Sequence, residues 1–422
     1  MKKGIRTKLS VMMFLQYVIW GSWLPLITIY LTQSIHYKSG TDFTPVQTGW
    51  IMNTFALSSI YAMFIGGQLA DRLFSAERFL AFSHLIGGIT MLLLPSQTSF
   101  WPFFIIMLIH CIFYVPTLSV TNSICFANLK DPKGEFGLVR LWGTLGWVAA
   151  GVPFIFILKE KTGAEMASAL SWIFIIAGIA SLLLSAFCLT LPHTPPTKQA
   201  SQKFAPFEAI KYLAIPTILI LFIVTYFDTL VLWCHFFWTA PFLKTLGVKE
   251  NWIMPIMSIG QVAEVLTMAV LGYVLKKLGW RFVMTFGIAA QILRFAIYSI
   301  SNQDLVWLVV LCNVIHGVCY AFFFASVYIF VDEFFPKDAR TSAQSLFNLV
   351  ILGIGPLTAN PLWGWLGQQF SVQDGNLPAF NKLFYIPTAI ALIATIGLFI
   401  FFKPEKIKKA QEDAPPIIEP PK

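Results

Sequence analysis

Apolar runs without a charged side chain recur along the whole sequence. Residues 9–35 form one such run and residues 166–192 form another. A helix needs about 20 apolar residues to cross a hydrocarbon core about 30 Å thick. Hydrophobic residues make up 57% of the 422 positions and charged residues only 12%, which excludes an ordinary soluble domain. The sequence therefore predicts an all-α integral membrane protein.

Twelve apolar windows can be delimited along the chain. The predicted transmembrane helices cover residues 9–33, 47–70, 79–96, 99–126, 138–158, 165–191, 211–243, 251–275, 281–300, 304–331, 341–368 and 380–402. The first window is too long for a secretory signal and no small-residue cleavage site follows it, so we interpret it as an uncleaved helix. An even number of helices places both termini on one side.

Lysine and arginine are distributed unevenly over the predicted loops. If the N-terminus is cytoplasmic, 22 of the 29 basic residues lie at the cytoplasmic ends of helices, six lie at the opposite ends, and Arg294 lies within a span. Basic residues near helix ends are retained in the cytoplasm, so both termini are predicted to be cytoplasmic. The net charge of +9 is therefore a sign of topology, and we expect no nucleic-acid partner.

A polar, proline-containing stretch divides the predicted helices into six and six. Residues 192–208 carry four of the 24 prolines and form the predicted cytoplasmic linker. The linker separates an N-terminal bundle, residues 1–191, from a C-terminal bundle, residues 209–402. The charged, proline-rich tail, residues 403–422, is expected to be disordered.

A short motif recurs at equivalent places in the two halves. Gly67 is followed by Asp71 and Arg72 after the second helix, and Gly272 is followed by Lys276 and Lys277 after the eighth. Glycine allows close helix approach, and charge caps and tethers helix ends in a short turn. The motif and the six-plus-six arrangement resemble the major facilitator superfamily, and Gly67, Asp71 and Arg72 are predicted to have a structural or gating role.

Ionisable residues within the predicted spans are the first candidates for a functional site. Each costs about 2.5–3.5 kcal/mol at the bilayer centre, so those that remain usually face a cavity or a partner. Glu264 lies mid-span with Gln261 on the same helical face, where both can address one polar ligand. The alternative is a structural pair between Glu264 and Arg294, and Arg294 is predicted to have a structural or gating role. Asp228 is interpreted as a second proton carrier or as the partner of a basic residue.

Two further helices carry polar and aromatic side chains on one face. Arg140, Thr144 and Trp147 are spaced i, i+4 and i+7 from the start of the fifth helix, and His316 and Tyr320 are spaced i and i+4 in the tenth. Alternatively, Arg140 only extends towards the cytoplasmic headgroups. Two further histidines within the spans, His84 and His110, are expected to form hydrogen bonds between helices. His235 is assigned no role.

No pattern typical of catalysis is present. The sequence has no phosphate-binding loop with Lys-Ser or Lys-Thr, no HExxH and no metal-ligand spacing among its six cysteines. We therefore expect neither an enzyme nor a metal or organic cofactor.

Longer segments make the resemblance more specific. The first helix contains Trp20 to Leu24 (WGSWL), the fifth opens with Arg140 to Gly146 (RLWGTLG), and the eighth contains Ser258 to Glu264 (SIGQVAE). Together with Arg340 to Gln344 (RTSAQ), these segments resemble the nucleoside:proton symporter family of the bacterial nucleoside permease type. The resemblance implies a multi-pass protein of the bacterial inner membrane that acts as a monomer.

The resemblance also implies a set of substrate-binding residues. Arg140, Thr144 and Trp147 would line the site opposite Gln261 and Glu264. His316 stands where the family has Tyr, and Tyr320 where it has Phe. Trp233 and Phe236 replace two amide side chains of the seventh helix, and Ala321 replaces an Asp of the tenth; these departures concern the substrate and leave the transport class intact.

The sequence thus predicts proton-coupled nucleoside uptake by alternating access. Glu264 is the expected proton carrier, and the proton is the coupling ion. A symporter of sugars or other polyols is the first alternative, and a membrane sensor that binds a ligand without transporting it is the second. The sequence does not distinguish purine from pyrimidine nucleosides.

Overall fold

The computed structural model of the protein describes residues 3–63, 75–195, 209–335 and 339–404. All regular secondary structure within these residues is helical. The helices that are long and apolar enough to cross a membrane are Gly4–Gln33, Ala76–Ser96, Phe100–Asn128, Glu135–Ile157, Gly163–Cys188, Pro216–Thr245, Glu250–Ile300, Gln303–Phe334, Ser342–Gln369 and Leu377–Phe401.

The segment Glu250–Ile300 contains two transmembrane helices. They are separated at Gly279, whose φ of 75° lies in the left-handed region that glycine adopts without strain. The apolar helix Pro45–Tyr61 occupies the first part of the predicted second span. Each of the twelve predicted windows therefore contains a helix, which confirms the predicted all-α membrane architecture, and the helices are numbered one to twelve in chain order below.

The break between the eighth and ninth helices lies at Gly279, within the gap left between the two predicted spans but later than the repeat motif indicated. The motif placed a turn at Gly272 to Lys277, but these residues remain helical and the chain turns only at Gly279. The lysines are good helix formers, and Gly272 is tolerated in a helix at a modest cost. The corresponding residues of the first half, Gly67, Asp71 and Arg72, lie outside the described residues, as do positions 196–208 and 405–422.

Equivalent pairs of helices pack against each other in the two halves of the chain. In the N-terminal bundle the first helix packs against the fifth, the second against the fourth and the third against the sixth. In the C-terminal bundle the seventh packs against the eleventh, the eighth against the tenth and the ninth against the twelfth. The repeat inferred from the sequence is therefore a repeat of three-dimensional packing.

The two bundles are joined at the end of the molecule opposite the termini. The second helix packs on the eleventh and the fifth on the eighth. Asn360 Nδ2 donates to Asn53 Oδ1 at 3.0 Å, and Asn53 Nδ2 donates to the carbonyl of Leu357 at 2.9 Å. Asn251 Nδ2 donates to the Ile155 carbonyl at 3.3 Å in the other helix pair. These contacts close this end of the space between the bundles.

Candidate substrate cavity

A cavity lies between the two bundles, and side chains from both line it. The cavity volume is about 150 Å³, and the empty space including the mouth is about 830 Å³. The lining residues are Tyr17, Trp20, Leu24, Arg140, Thr144, Trp147, Leu232, Trp233, Phe236, Gln261, Glu264, His316, Tyr320, Ile351 and Leu352. All seven residues predicted to bind substrate are among them. We call this space the central cavity.

Arg140 lies well inside its helix, which corrects its placement at the helix start. The fifth helix begins at Pro132, so Arg140 lies two turns further along. Its guanidinium carbon is 4.2 Å from the centre of the Tyr17 ring, a cation–π distance. Within the parts of the chain that the structure describes, no carboxylate lies within ion-pair distance of Arg140. Its side chain borders the central cavity instead of only extending towards the headgroups.

Aromatic rings form much of the cavity wall on the N-terminal side. Trp20 stacks on Phe55 with ring centres 4.9 Å apart, and its ring meets Trp147 edge to face at 5.3 Å. The ring centre of Phe55 lies 6.4 Å from that of Trp233 of the opposite bundle. The Trp20 indole nitrogen is buried without a hydrogen-bond partner among the described residues. The wall therefore combines flat apolar surfaces with a free donor.

Glu264 and Gln261 line the cavity from the eighth helix. The tenth helix packs very close to the eighth here because Gly317 has no side chain. A methyl group on Gly317 would overlap the backbone of Ala263 and Glu264. Across the described residues, no donor lies within hydrogen-bond distance of the Glu264 carboxylate. The alternative of a structural pair with Arg294 is wrong, since Arg294 bonds to other residues.

Behind His316 the C-terminal bundle contains a group of fully buried polar residues. Arg294 Nη1 lies 3.0 Å from His316 Nδ1, and Arg294 Nη2 donates to Gln291 Oε1. His316 stacks on His235 with ring centres 4.7 Å apart. Asp228 is close to Arg294 and Gln291 but lies behind the cavity wall. The structure therefore brings seven predicted site residues to one cavity and places Asp228 and Arg294 outside it.

The buried histidines of the N-terminal bundle connect helices, as predicted. His84 Nε2 lies 2.8 Å from Gln16 Oε1, joining the third helix to the first. His110 Nδ1 lies 3.0 Å from the Gly87 carbonyl, joining the fourth helix to the third.

The model of the family described as "Nucleoside H+ symporter" matches residues 3–407. The chain belongs to this family. The YegT protein of Escherichia coli (strain K12) is 31% identical over 93% of each chain, and the xanthosine permease of the same organism is 28% identical over 96% of this chain and 98% of its own. The predicted family is confirmed, and the chain is a membrane transporter and not an enzyme.

The solved structure of another family protein supports the fold. The crystal structure of nucleoside transporter NupG matches with a TM-score of 0.83 at 24% identity and covers 96% of this chain and 100% of that chain. This likeness confirms the major facilitator superfamily fold. A crystal structure of a D-xylose-proton symporter also matches, with a TM-score of 0.73 at 13% identity, over 96% of this chain and 99% of that one.

Several apolar residues of the central cavity were not predicted from the sequence. Tyr17, Trp20 and Leu24 are spaced i, i+3 and i+7 on the first helix, so helical spacing could have grouped them. Ile351 and Leu352 carry no polar signal. They lie in the π-helical turn Leu349–Ile354, a rare local form that often occurs at functional sites and is not visible in a sequence pattern.

Proposed function

We propose that this protein couples inward proton movement to nucleoside uptake, with Glu264 as a proton carrier. The observation that carries the proposal is the position of Glu264 and Gln261, which share one cavity with Arg140, Thr144 and Trp147 of the other bundle. A solute held there contacts both bundles at once. Rocking of the bundles about the solute can then carry it across the membrane.

The chemistry of the cavity matches that of a nucleoside. A nucleoside is neutral, with a flat base at one end and hydroxyl groups at the other. The rings of Trp147 and Tyr320 offer stacking surfaces, and stacking on one base is worth about 1–3 kcal/mol. Arg140, Gln261 and Glu264 offer donors and acceptors to hydroxyls and base edges. A solute that fails to pair with them leaves polar groups unsatisfied, which is a physical basis for selectivity.

Proton coupling requires a group that can carry a proton across the membrane in neutral form. The Glu264 carboxylate borders a mainly apolar cavity and accepts no hydrogen bond from the described residues. Protonation removes its charge and reduces the cost of closing the cavity around it. One proton moving through 100 mV supplies about 2.3 kcal/mol, roughly fifty-fold accumulation of a neutral solute.

The arrangement of the bundles corresponds to one end state of an alternating-access cycle. The end opposite the termini is closed by Asn53, Asn360 and their neighbours. Most basic residues lie on the side of the termini, which supports cytoplasmic termini and an inward-facing state. We further propose that the protein acts as a monomer in a bacterial inner membrane.

The test is uptake of labelled uridine and adenosine into proteoliposomes under an imposed pH gradient. The Glu264→Gln variant is expected to lose uphill accumulation but to retain exchange of internal for external nucleoside. Glu250→Gln is the matched control, since Glu250 lies on the same helix and pairs with Lys244 at 3.1 Å outside the cavity. Normal accumulation by Glu264→Gln would remove Glu264 from the mechanism.

A polyol symporter is the second candidate because the seventh-helix wall of the cavity is apolar. Leu232, Trp233 and Phe236 line it, so this wall offers an indole and a phenyl surface but no amide. Competition of uridine uptake by adenosine, xylose and glucose distinguishes the candidates. Inhibition by the sugars alone would favour the polyol, and binding without flux would indicate a sensor.

A further inference from the structure

The buried polar group behind His316 contains a cation and an acid that do not bond to each other. Asp228 and Arg294 are both 0% exposed. Both Asp228 oxygens and the Arg294 Nε are without a hydrogen-bond partner among the described residues. The guanidinium instead bonds to His316 and Gln291 through its two terminal nitrogens. Arg294 therefore has an unused donor, and Asp228 has unused acceptors nearby.

The contact with Arg294 determines the hydrogen position on the His316 ring. A guanidinium has only donors, so His316 Nδ1 must accept the hydrogen bond of 3.0 Å. The imidazole is then neutral, with its hydrogen on Nε2. Because His316 lines the central cavity, this Nε2–H is a donor available to an acceptor on the solute.

The surroundings of Asp228 suit a protonated carboxyl group. A buried carboxylate without hydrogen bonds is strongly unfavourable, whereas a neutral acid loses much less on leaving water. The ionisable groups around Asp228 and Arg294 come from three helices and are Cys234 and His235 of the seventh, Tyr298 of the ninth, and Cys312, His316 and Cys319 of the tenth. Among the described residues, the eleventh and twelfth helices add no charged group to the surroundings of Asp228. Arg294 is thus the cation that a charged Asp228 would attract.

We infer that Arg294 is a positioning residue that transmits the protonation of Asp228 to the solute through His316. The inference rests on the proposed proton-coupled transport. When Asp228 binds one proton, the charge of the Asp228–Arg294 pair rises from zero to +1 and the guanidinium bonds to His316. When the proton leaves to water, the guanidinium turns to the carboxylate, the His316 ring loses its partner, and its donor to the solute is no longer fixed. Protonation and solute binding therefore strengthen each other, as linkage requires.

The first test measures nucleoside binding in the Glu264→Gln background, where titration of Glu264 cannot contribute. The purified full chain in nanodiscs is titrated with uridine and adenosine at about pH 6 and about pH 8. Glu264→Gln should bind about tenfold more weakly at the higher pH, whereas Glu264→Gln with Asp228→Asn should keep the tight affinity at both, within about twofold. Glu264→Gln with Glu250→Gln is the matched control and should behave like Glu264→Gln alone.

The outcomes separate this inference from the proposed function. An equal pH dependence with and without Asp228→Asn overturns the role of Asp228 while nucleoside binding stands. Failure of the unmodified protein to bind either nucleoside at either pH overturns the proposed function itself.

The second test examines the step from Arg294 to His316. Arg294→Gln alone can fail to fold because it leaves Asp228 without a cation, so Arg294→Gln is combined with Asp228→Asn. This double variant should bind uridine about tenfold more weakly than Asp228→Asn at both pH values, because His316 is no longer held. Equal affinity of the two variants would show that Arg294 does not act through His316.

Discussion

The two bundles contain buried polar groups of opposite character. In the N-terminal bundle, Gln16 Nε2 donates to Thr117 Oγ1 at 2.8 Å, and Tyr114 donates to the Gln16 carbonyl at 2.7 Å. His84 bonds to the same Gln16 and lies 3.3 Å from Ser181. All the side chains of this network are uncharged when the His84 imidazole is neutral. The C-terminal bundle instead buries Asp228 with Arg294 and leaves several of their atoms unpaired.

The difference assigns different mechanical roles to the two bundles. A neutral network whose members are paired has one favoured arrangement and holds its helices in fixed positions. In the proposed cycle, the charged group with its unused donors and acceptors adopts one of two arrangements according to whether Asp228 is protonated. The comparison indicates that the N-terminal bundle is a rigid wall for the solute and that the C-terminal bundle contains the switch.

The largest expected effect comes from removing one member of the charged pair. At about pH 8, where Asp228 is ionised in the proposed cycle and attracts Arg294, Arg294→Gln leaves the carboxylate buried without a cation, and breaking a buried pair costs about 3–5 kcal/mol. Adding Asp228→Asn removes the second charge and should restore most of the lost stability. Thermal unfolding in detergent, followed by size-exclusion fluorescence, measures both. Equal destabilisation of the single and double variants would mean that the two residues do not interact.

The fold was predictable because lipid restricts the backbone to few forms. Windows such as residues 166–192 must be helical in a bilayer, since unpaired peptide groups are too costly there. The position of a helix break depends on a single residue, and Gly272 and Gly279 look equally suitable in the sequence. The repeat motif therefore pointed to a turn one helical stretch too early, whereas the gap between the predicted spans, residues 276–280, contains Gly279.

The site was predictable where membrane burial makes a residue costly, and where a second residue shares a helical face with such a residue. Glu264, Arg140 and His316 stand out for that reason, and all three line the central cavity. Asp228 stands out equally but lies behind the cavity wall. The cost of burying a charge could not predict this position, since it does not say which side of a helix faces the cavity. Ile351 could not be recognised, since an apolar residue costs nothing in either place, and Trp20 could have been found only through its helical spacing from Tyr17 and Leu24.

A smaller effect is expected in the neutral network. Gln16→Leu removes the partner of His84 and of Thr117, and leaving a buried polar group unsatisfied costs about 1–3 kcal/mol. The same thermal unfolding assay measures the loss. The pH dependence of uridine binding should remain that of the unmodified protein, because no group of this network exchanges a proton in the proposed cycle. A changed pH dependence in Gln16→Leu would contradict the division of roles between the bundles.

The smallest effect is expected at the Asn53–Asn360 contact between the bundles, which lies outside both buried polar groups. Asn360→Ala removes the hydrogen bond to Asn53, worth about 1 kcal/mol net, so the population open at the end opposite the termini should rise about fivefold. Spin labels at Lys159 and Lys249, both exposed at that end, report the separation of the bundles by electron resonance. Asn302→Ala is the matched control, because Asn302 accepts hydrogen bonds only from Asp304 and Leu305 of its own bundle. If the two variants give the same distance distribution, the Asn53–Asn360 bond does not hold the bundles together, and closure must depend on helix packing alone.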